Sequence, residues 1–189
     1  MPDPLPAPAQ RVLEAAARKG VALEIRAFPE GTHTADDAAR AIGAELSQIV
    51  KSLVFVAPRE DGVLQPIVAL AAGPDRVDVA RLAAVLGEPN VRRASAREAN
   101  DLTGFTIGGI PPFGHSRPAR VVMDPRLGRH QTVWAAAGTQ QTVFPISPGT
   151  LRMLSNAVVA PIVTEPDGAE PAARSDTGSG GLETPGTLP

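Results

Sequence analysis

The sequence predicts an α/β fold: one domain in which a mixed, partly curled β-sheet is surrounded by helices. Three observations lead there. Apolar runs of strand length alternate with segments of helical period, but without the strict β-α-β order of a doubly wound parallel sheet. The chain has 189 residues, a length that suits one domain with a proper core. Hydrophobic residues make up 43% and aromatics only 3%, so that core must be built from Ala, Val, Leu and Ile.

The elements follow in order. Residues 8 to 19 read as a helix, with Val12, Leu13, Ala16 and Ala17 on one face and Gly20 as a stop. A strand is expected at 22 to 28. In GTHTADDAARAIGA, Thr34 can cap a helix whose first turn holds Asp36 and Asp37 and which ends at Gly43. The run IVKSLVFVA at 49 to 57 is β-branched and nearly continuous, the pattern of a strand buried on both faces. Its one charge is Lys51. Further strands are expected at 65 to 72, 118 to 124, 131 to 137 and 142 to 146. Helices fit 77 to 87, 95 to 103 with a Ser95/Glu98 capping box, and 147 to 157 with Ser147 as cap and Pro148 at the first position.

Composition narrows the function. No cysteine is present, which removes disulfides, thiolate nucleophiles and cysteine-based zinc sites, and suits a reducing cytoplasm. The opening MPDPLPAPAQ lacks the character of a signal peptide, and no apolar run is long enough to span a bilayer. A soluble intracellular protein with no membrane partner is expected. Residues 164–189 hold five acidic residues against Arg174 and are rich in Pro and Gly, which predicts a disordered acidic tail after a domain at 1–163. The body is left mildly basic.

Obvious catalytic apparatus is missing. His33, His115 and His130 are scattered, with no partners at metal-ligand spacing, so no metal is expected. There is no G-x-S-x-G elbow and no Walker loop. Two features remain. Lys51 is either a lysine reaching the surface along its stem or a cation at the mouth of a cleft, where it would meet a phosphate. The stretch GGIPPFGH, residues 108 to 115, is either a tight connection or a loop that presents main-chain amides. Amides at Gly109 and Ile110 could then donate to a carbonyl oxygen that gains charge during acyl transfer, with glycine at 108 and 109 letting it approach.

The segments QIVKSLVF (48 to 55), LTGFTIGGIPPFGH (102 to 115) and AAAGTQQ (135 to 141) resemble, in order and spacing, the three signature segments of the YbaK/EbsC family, free-standing relatives of the editing domain of bacterial prolyl-tRNA synthetases. The resemblance spans residues 10 to 162. It implies that family's fold and an aminoacyl-tRNA deacylase acting on the tRNA 3′ end, with no cofactor and with a synthetase as a second partner. It implies that Lys51 anchors a phosphate of the terminal adenosine, that Gly108, Gly109 and Ile110 hold the ester carbonyl, and that the substrate's own ribose hydroxyl helps activate water. Pro112 would keep the loop rigid, and His115 would touch ribose or phosphate unless it is simply exposed. Thr34 reads first as an N-cap and second as a pocket border, and Phe28 and Phe113 read first as core and second as adenine-stacking. Trp134 reads as core or pocket wall, and Arg92, Arg93 and Arg97 as an acceptor-stem patch or a solvated face. The chain departs from several relatives in having Ala136 and Ala137 before Gly138, where a hydroxyl is common, and Pro111 where serine is common. These departures leave the amino acid open. The alternatives are a non-catalytic tRNA-end-binding module of the same fold and a regulatory or envelope-associated protein.

Overall fold

The computed structural model describes residues 5–28 and 34–164; the tail from residue 165 and His33 lie outside the described residues. The helices are α1 (Ala7–Ala17), α2 (Ala35–Ile42), α3 (Val79–Leu86), α4 (Ala96–Thr103) and α5 (Pro148–Ser155). The strands are β1 (Arg26–Ala27), β2 (Ile49–Pro58), β3 (Leu64–Ala72), β4 (Arg92–Arg93), β5 (Arg120–Met123), β6 (Val133–Ala136), β7 (Thr142–Ile146) and β8 (Val158–Val159). They form one mixed sheet of order β1-β7-β6-β2-β3-β5-β8, with β4 also paired to β2. The β2/β6, β3/β5 and β5/β8 pairs are parallel and the others antiparallel.

Side chains alternate across the sheet, so β2 and β3 each feed two cores. Val50, Val54 and Val56 join Val68, Leu70 and Ala72 on one face, under α1, α4, α5 and the segment carrying Phe105, Ile110 and Phe113. Phe55, Ala57, Ile67 and Ala69 lie on the other face with Leu82 of α3 and Ile162. Burial on both faces is why these strands read as continuous apolar runs.

The pairing of β2 is incomplete in a way that matters. β3 follows one edge from Val50 to Pro58. On the opposite edge β6 pairs only with Ile49 and Val50, and β4 only with Phe55 and Val56. Between them, among the described residues, Lys51, Ser52 and Leu53 have no strand beside them on that edge, and all three are half-buried where the flanking residues are buried. Both neighbours turn away. β6 runs into a tight turn at Gly138, whose φ of 97° favours glycine, and β4 stops at the Ser95 cap of α4.

The caps expected from the sequence are in place at Thr34, Ser95 and Ser147, and Gly43 closes α2 in the left-handed conformation. Two short strands went unread. β4 is a pair of arginines and β8 a pair of exposed valines, both too short to carry a period. The strand expected at 22 to 28 contracts to Arg26–Ala27, while Val21, Leu23 and Ile25 pack against the core from irregular chain.

The α4 cap sets one expectation for stability. Ser95 Oγ accepts from the Glu98 amide at 3.2 Å, and the Glu98 carboxylate accepts from the Ser95 amide at 2.8 Å. Ser95→Ala should lower the unfolding free energy by about 1 kcal/mol, read by urea denaturation.

Candidate functional site

The bare stretch of β2 is the floor of a cleft of about 240 Å³. That is just below the range of roughly 300–1,000 Å³ usual for drug-sized ligands, so it suits one end of a larger molecule. Thr34, Ala35 and Ala38 at the start of α2 form one wall. Gly108 and Ile110 form a second, Trp134 and Ala136 of β6 with Thr139 and Gln140 a third, and Arg93 and Ala94 close the end where β4 leaves.

Two loops are zipped together to make the glycine wall. The Gly138 amide donates to the Gly109 carbonyl at 3.0 Å, and Gln140 Nε2 donates to the Ile107 carbonyl at 3.1 Å. The backbones are so close that a Cβ on Gly109 would lie 2.6 Å from Thr139 Cα, and one on Gly138 would lie 2.7 Å from the Pro8 carbonyl group. Neither neighbour is a side-chain tip that could swing aside. Gly108, with φ 90°, lies in the region that favours glycine.

This packing changes the role expected of Gly109. Its amide already donates to the Thr106 carbonyl at 3.0 Å, closing the turn, so it is not a donor to a ligand. The amides of Gly108 and Ile110, both residues of the cleft wall, have no hydrogen-bond partner among the described residues. Gly109 instead allows the close approach of the two loops.

Lys51 sits at the edge of the cleft, its Nζ donating to the Asp75 main-chain carbonyl. An ammonium has three donors, so that bond leaves donors for a ligand. Burial is the largest influence on Lys51 and pushes its pKa below the usual lysine value; Asp75 opposes the shift, and Arg93 and Arg76 add to it. Arg93 is the cation that sequence reasoning did not single out. Its guanidinium lies 5.2 Å from the Phe55 ring centroid, and burial lowers its pKa too. The arginine cluster thus divides: Arg92 is held bidentately by Glu98 at 2.7 and 2.9 Å and Arg97 faces Asp101 at 3.7 Å, while Arg93 enters the cleft. Only the alternation of side chains along a strand could have separated Arg92 from Arg93, and a strand of two arginines gives no such signal. Among the described residues, the titratable groups lining the cleft are Lys51 and Arg93.

The other expected residues divide as well. Thr34 both caps α2, accepting from the Asp37 amide at 3.1 Å, and lines the cleft, as does Ala136. Trp134 is a cleft wall, with the Arg26 guanidinium 4.9 Å from its ring centroid. Phe28, Pro112, His115 and Gly138 are not among the lining residues. Phe28 is tied by its amide to the Gln141 carbonyl at 2.7 Å, and Phe113 is core, 5.8 Å from the Phe144 ring. His115 donates from Nε2 to the Pro111 carbonyl at 2.7 Å and so braces the loop from behind. Pro112 is buried in that same turn.

The family described as the aminoacyl-tRNA editing domain matches residues 29–154. The chain is 34% identical over 132 residues to YwhH of Bacillus subtilis, an uncharacterized protein, covering 70% of this chain and 81% of that one. It is 35% identical over 85 residues to the multifunctional Ser/Thr-tRNA deacylase ProXp-y of Escherichia coli, covering 45% of this chain and half of that relative's length. A solved structure described as "a putative trans-editing enzyme for prolyl tRNA synthetase" superposes with a TM-score of 0.79 at 39% identity, covering 86% of this chain and all of the other.

Because burial, more than any other influence, lowers the pKa of His115, the unfolded chain takes up a proton there before the folded one does. Stability should therefore fall as the pH drops below 6.5 and level off below the folded value. Urea denaturation from about pH 7.5 to about pH 5 should show a shallower decline in His115→Asn than in the parent.

Proposed function

The chain belongs to the aminoacyl-tRNA editing domain family, and on that premise we propose that it is a free-standing aminoacyl-tRNA deacylase, hydrolysing in trans the ester of a mischarged tRNA. The observation that carries this reading is the pair of amides, Gly108 and Ile110, unpartnered among the described residues, in a cleft that also holds two partly desolvated cations.

Water adds to the ester carbonyl, forming a C–O bond and an oxyanion. The Gly108 and Ile110 amides donate to that oxyanion, each typically worth about 3 to 4 kcal/mol where charge develops. The ester C–O bond then breaks, the ribose oxygen leaves with a proton, and the free amino acid and uncharged tRNA depart. No carboxylate or imidazole lines the cleft among the described residues, which fits activation of water by the neighbouring ribose hydroxyl of the substrate. Lys51 grips the phosphate before the terminal adenosine as a point charge, and Arg93 supplies a second positive group. Trp134 offers a ring face beside them. The partners are then the aminoacyl-tRNA 3′ end and, given the described role of the solved relative, a synthetase that makes the error. Such a substrate is met in the cytoplasm; no helix among the described residues is long and apolar enough to cross a membrane.

A panel of tRNAs, each carrying a wrong amino acid, tests the proposal directly. The full chain should release the amino acid with multiple turnovers from at least one of them. Lys51→Ala should lower kcat/KM about 10- to 100-fold, the worth of a charged hydrogen bond, with an unchanged circular dichroism spectrum. Gly109→Val should lower kcat by about 100-fold or more by displacing the two amides. Tight binding without release by the parent would select the non-catalytic module instead, and neither binding nor release would end both readings.

A further inference from the structure

Lys51 is held from outside the cleft. The carbonyl that accepts its Nζ belongs to Asp75, in the turn that follows β3, and Asp75 is not among the lining residues. That turn is fixed from two sides. The Asp75 amide donates to the Ala72 carbonyl at 3.0 Å, and Gly73 packs so closely on Leu46 that a Cβ there would lie 2.3 Å from the Leu46 carbonyl oxygen. On the other side the Asp75 carboxylate accepts from Arg126 Nη1 at 3.1 Å, with the two side chains only 14% and 20% exposed. Arg126 stands on the short 3-10 turn Pro125–Arg129, whose cap is the buried Asp124. Asp124 accepts from the Arg126 amide at 3.0 Å and the Ile162 amide at 2.9 Å, and its own amide donates to the Leu70 carbonyl at 2.9 Å. The main chain of Arg126 is thereby tied to β3, and its guanidinium to the residue that anchors Lys51.

Asp75 offers Lys51 two acceptors with opposite consequences. The main-chain carbonyl fixes the ammonium and leaves its charge for an anion. The carboxylate, once engaged by Lys51, would neutralise that charge and compete with any phosphate brought to the cleft. It is near enough to act: against burial, the largest influence and one that lowers the Lys51 pKa, Asp75 raises it. We propose that Arg126 is a positioning residue for Lys51: by keeping the Asp75 carboxylate engaged, it leaves the main-chain carbonyl as the acceptor for Lys51 and the lysine's charge for the substrate phosphate. This rests on the deacylase reading. A lysine stem has many rotamers, so an ammonium held ahead of binding costs less to order when the phosphate arrives.

The test measures steady-state deacylation by the full chain on the mischarged tRNA it releases fastest. Arg126→Met frees the carboxylate for Lys51 and should raise KM about tenfold with kcat within about twofold, because binding common to ground and transition states is lost. Asp75→Asn removes the competing charge and keeps the carbonyl, so adding it to Arg126→Met should restore KM to within about twofold of the parent. In a Lys51→Ala background Arg126→Met should change KM by less than about twofold. A structural role alone predicts neither the rescue nor that silence. Arg126→Gln, which keeps a donor for Asp75 without the charge, takes the place of Arg126→Met if the latter does not fold, with the same expectations. A KM untouched by the exchange, raised equally with and without Lys51, or not restored by Asp75→Asn would overturn this inference and leave the deacylase standing. No release by the parent from any mischarged tRNA would overturn both.

Discussion

The architecture of the site depends on a strand that is shared by two partners along one edge and fully used by neither. A sheet interior ordinarily satisfies every main-chain group through its ladders, and an open edge is usually a hazard to be covered. Here β6 and β4 both reach β2 and both leave it, so the bare residues Lys51 to Leu53 fall inside the domain and not at its rim. The cleft is thus a gap in the sheet itself. Its depth comes from the two cores on either side, and its floor is as rigid as the longest strand pair in the fold.

That origin explains the electrostatics. Lys51 and Arg93 approach from two strands that pair only beyond the gap, and each is partly desolvated with no carboxylate in the cleft beside it. Elsewhere several arginines are paired with acids: Glu88 takes both Arg59 and Arg120, and Glu98 takes Arg92. Asp75 offsets part of the cost at Lys51 from outside the cleft lining, and two partly buried cations with no carboxylate lining the cleft among the described residues make a site suited to an anion. The amides of Gly108 and Ile110 add to the same field without adding charge.

Much of this was legible in the sequence, and the limits have physical causes. Long elements announced themselves through period and caps, as at β2, β3 and α4, because local chemistry and tertiary packing agree there. The loop at 108 to 115 could be recognised from its Gly and Pro residues. Which amides it leaves free could not, because the Gly109 amide is taken by Thr106 in a turn that no spacing rule specifies. His115 was legible as a neighbour of the loop but not as its brace. Arg93 was hidden within a run of basic residues, and Ser52 looked like an unremarkable strand residue. Both gain meaning only from what fails to pair beside them.

The contact of Gly109 with the main chain of Thr139 has a further consequence. The width of the opening is fixed by backbone against backbone, whereas much of the lining is small side chains such as Val50, Ser52, Ala99 and Ala136, the surfaces an acyl group would meet under the proposed deacylase function. Under that proposal, reactive geometry and selectivity would be carried by different atoms. Drift at the lining positions can redirect the protein from one amino acid to another while the reacting centre keeps its shape, a division of labour by which one scaffold can diversify into many editors.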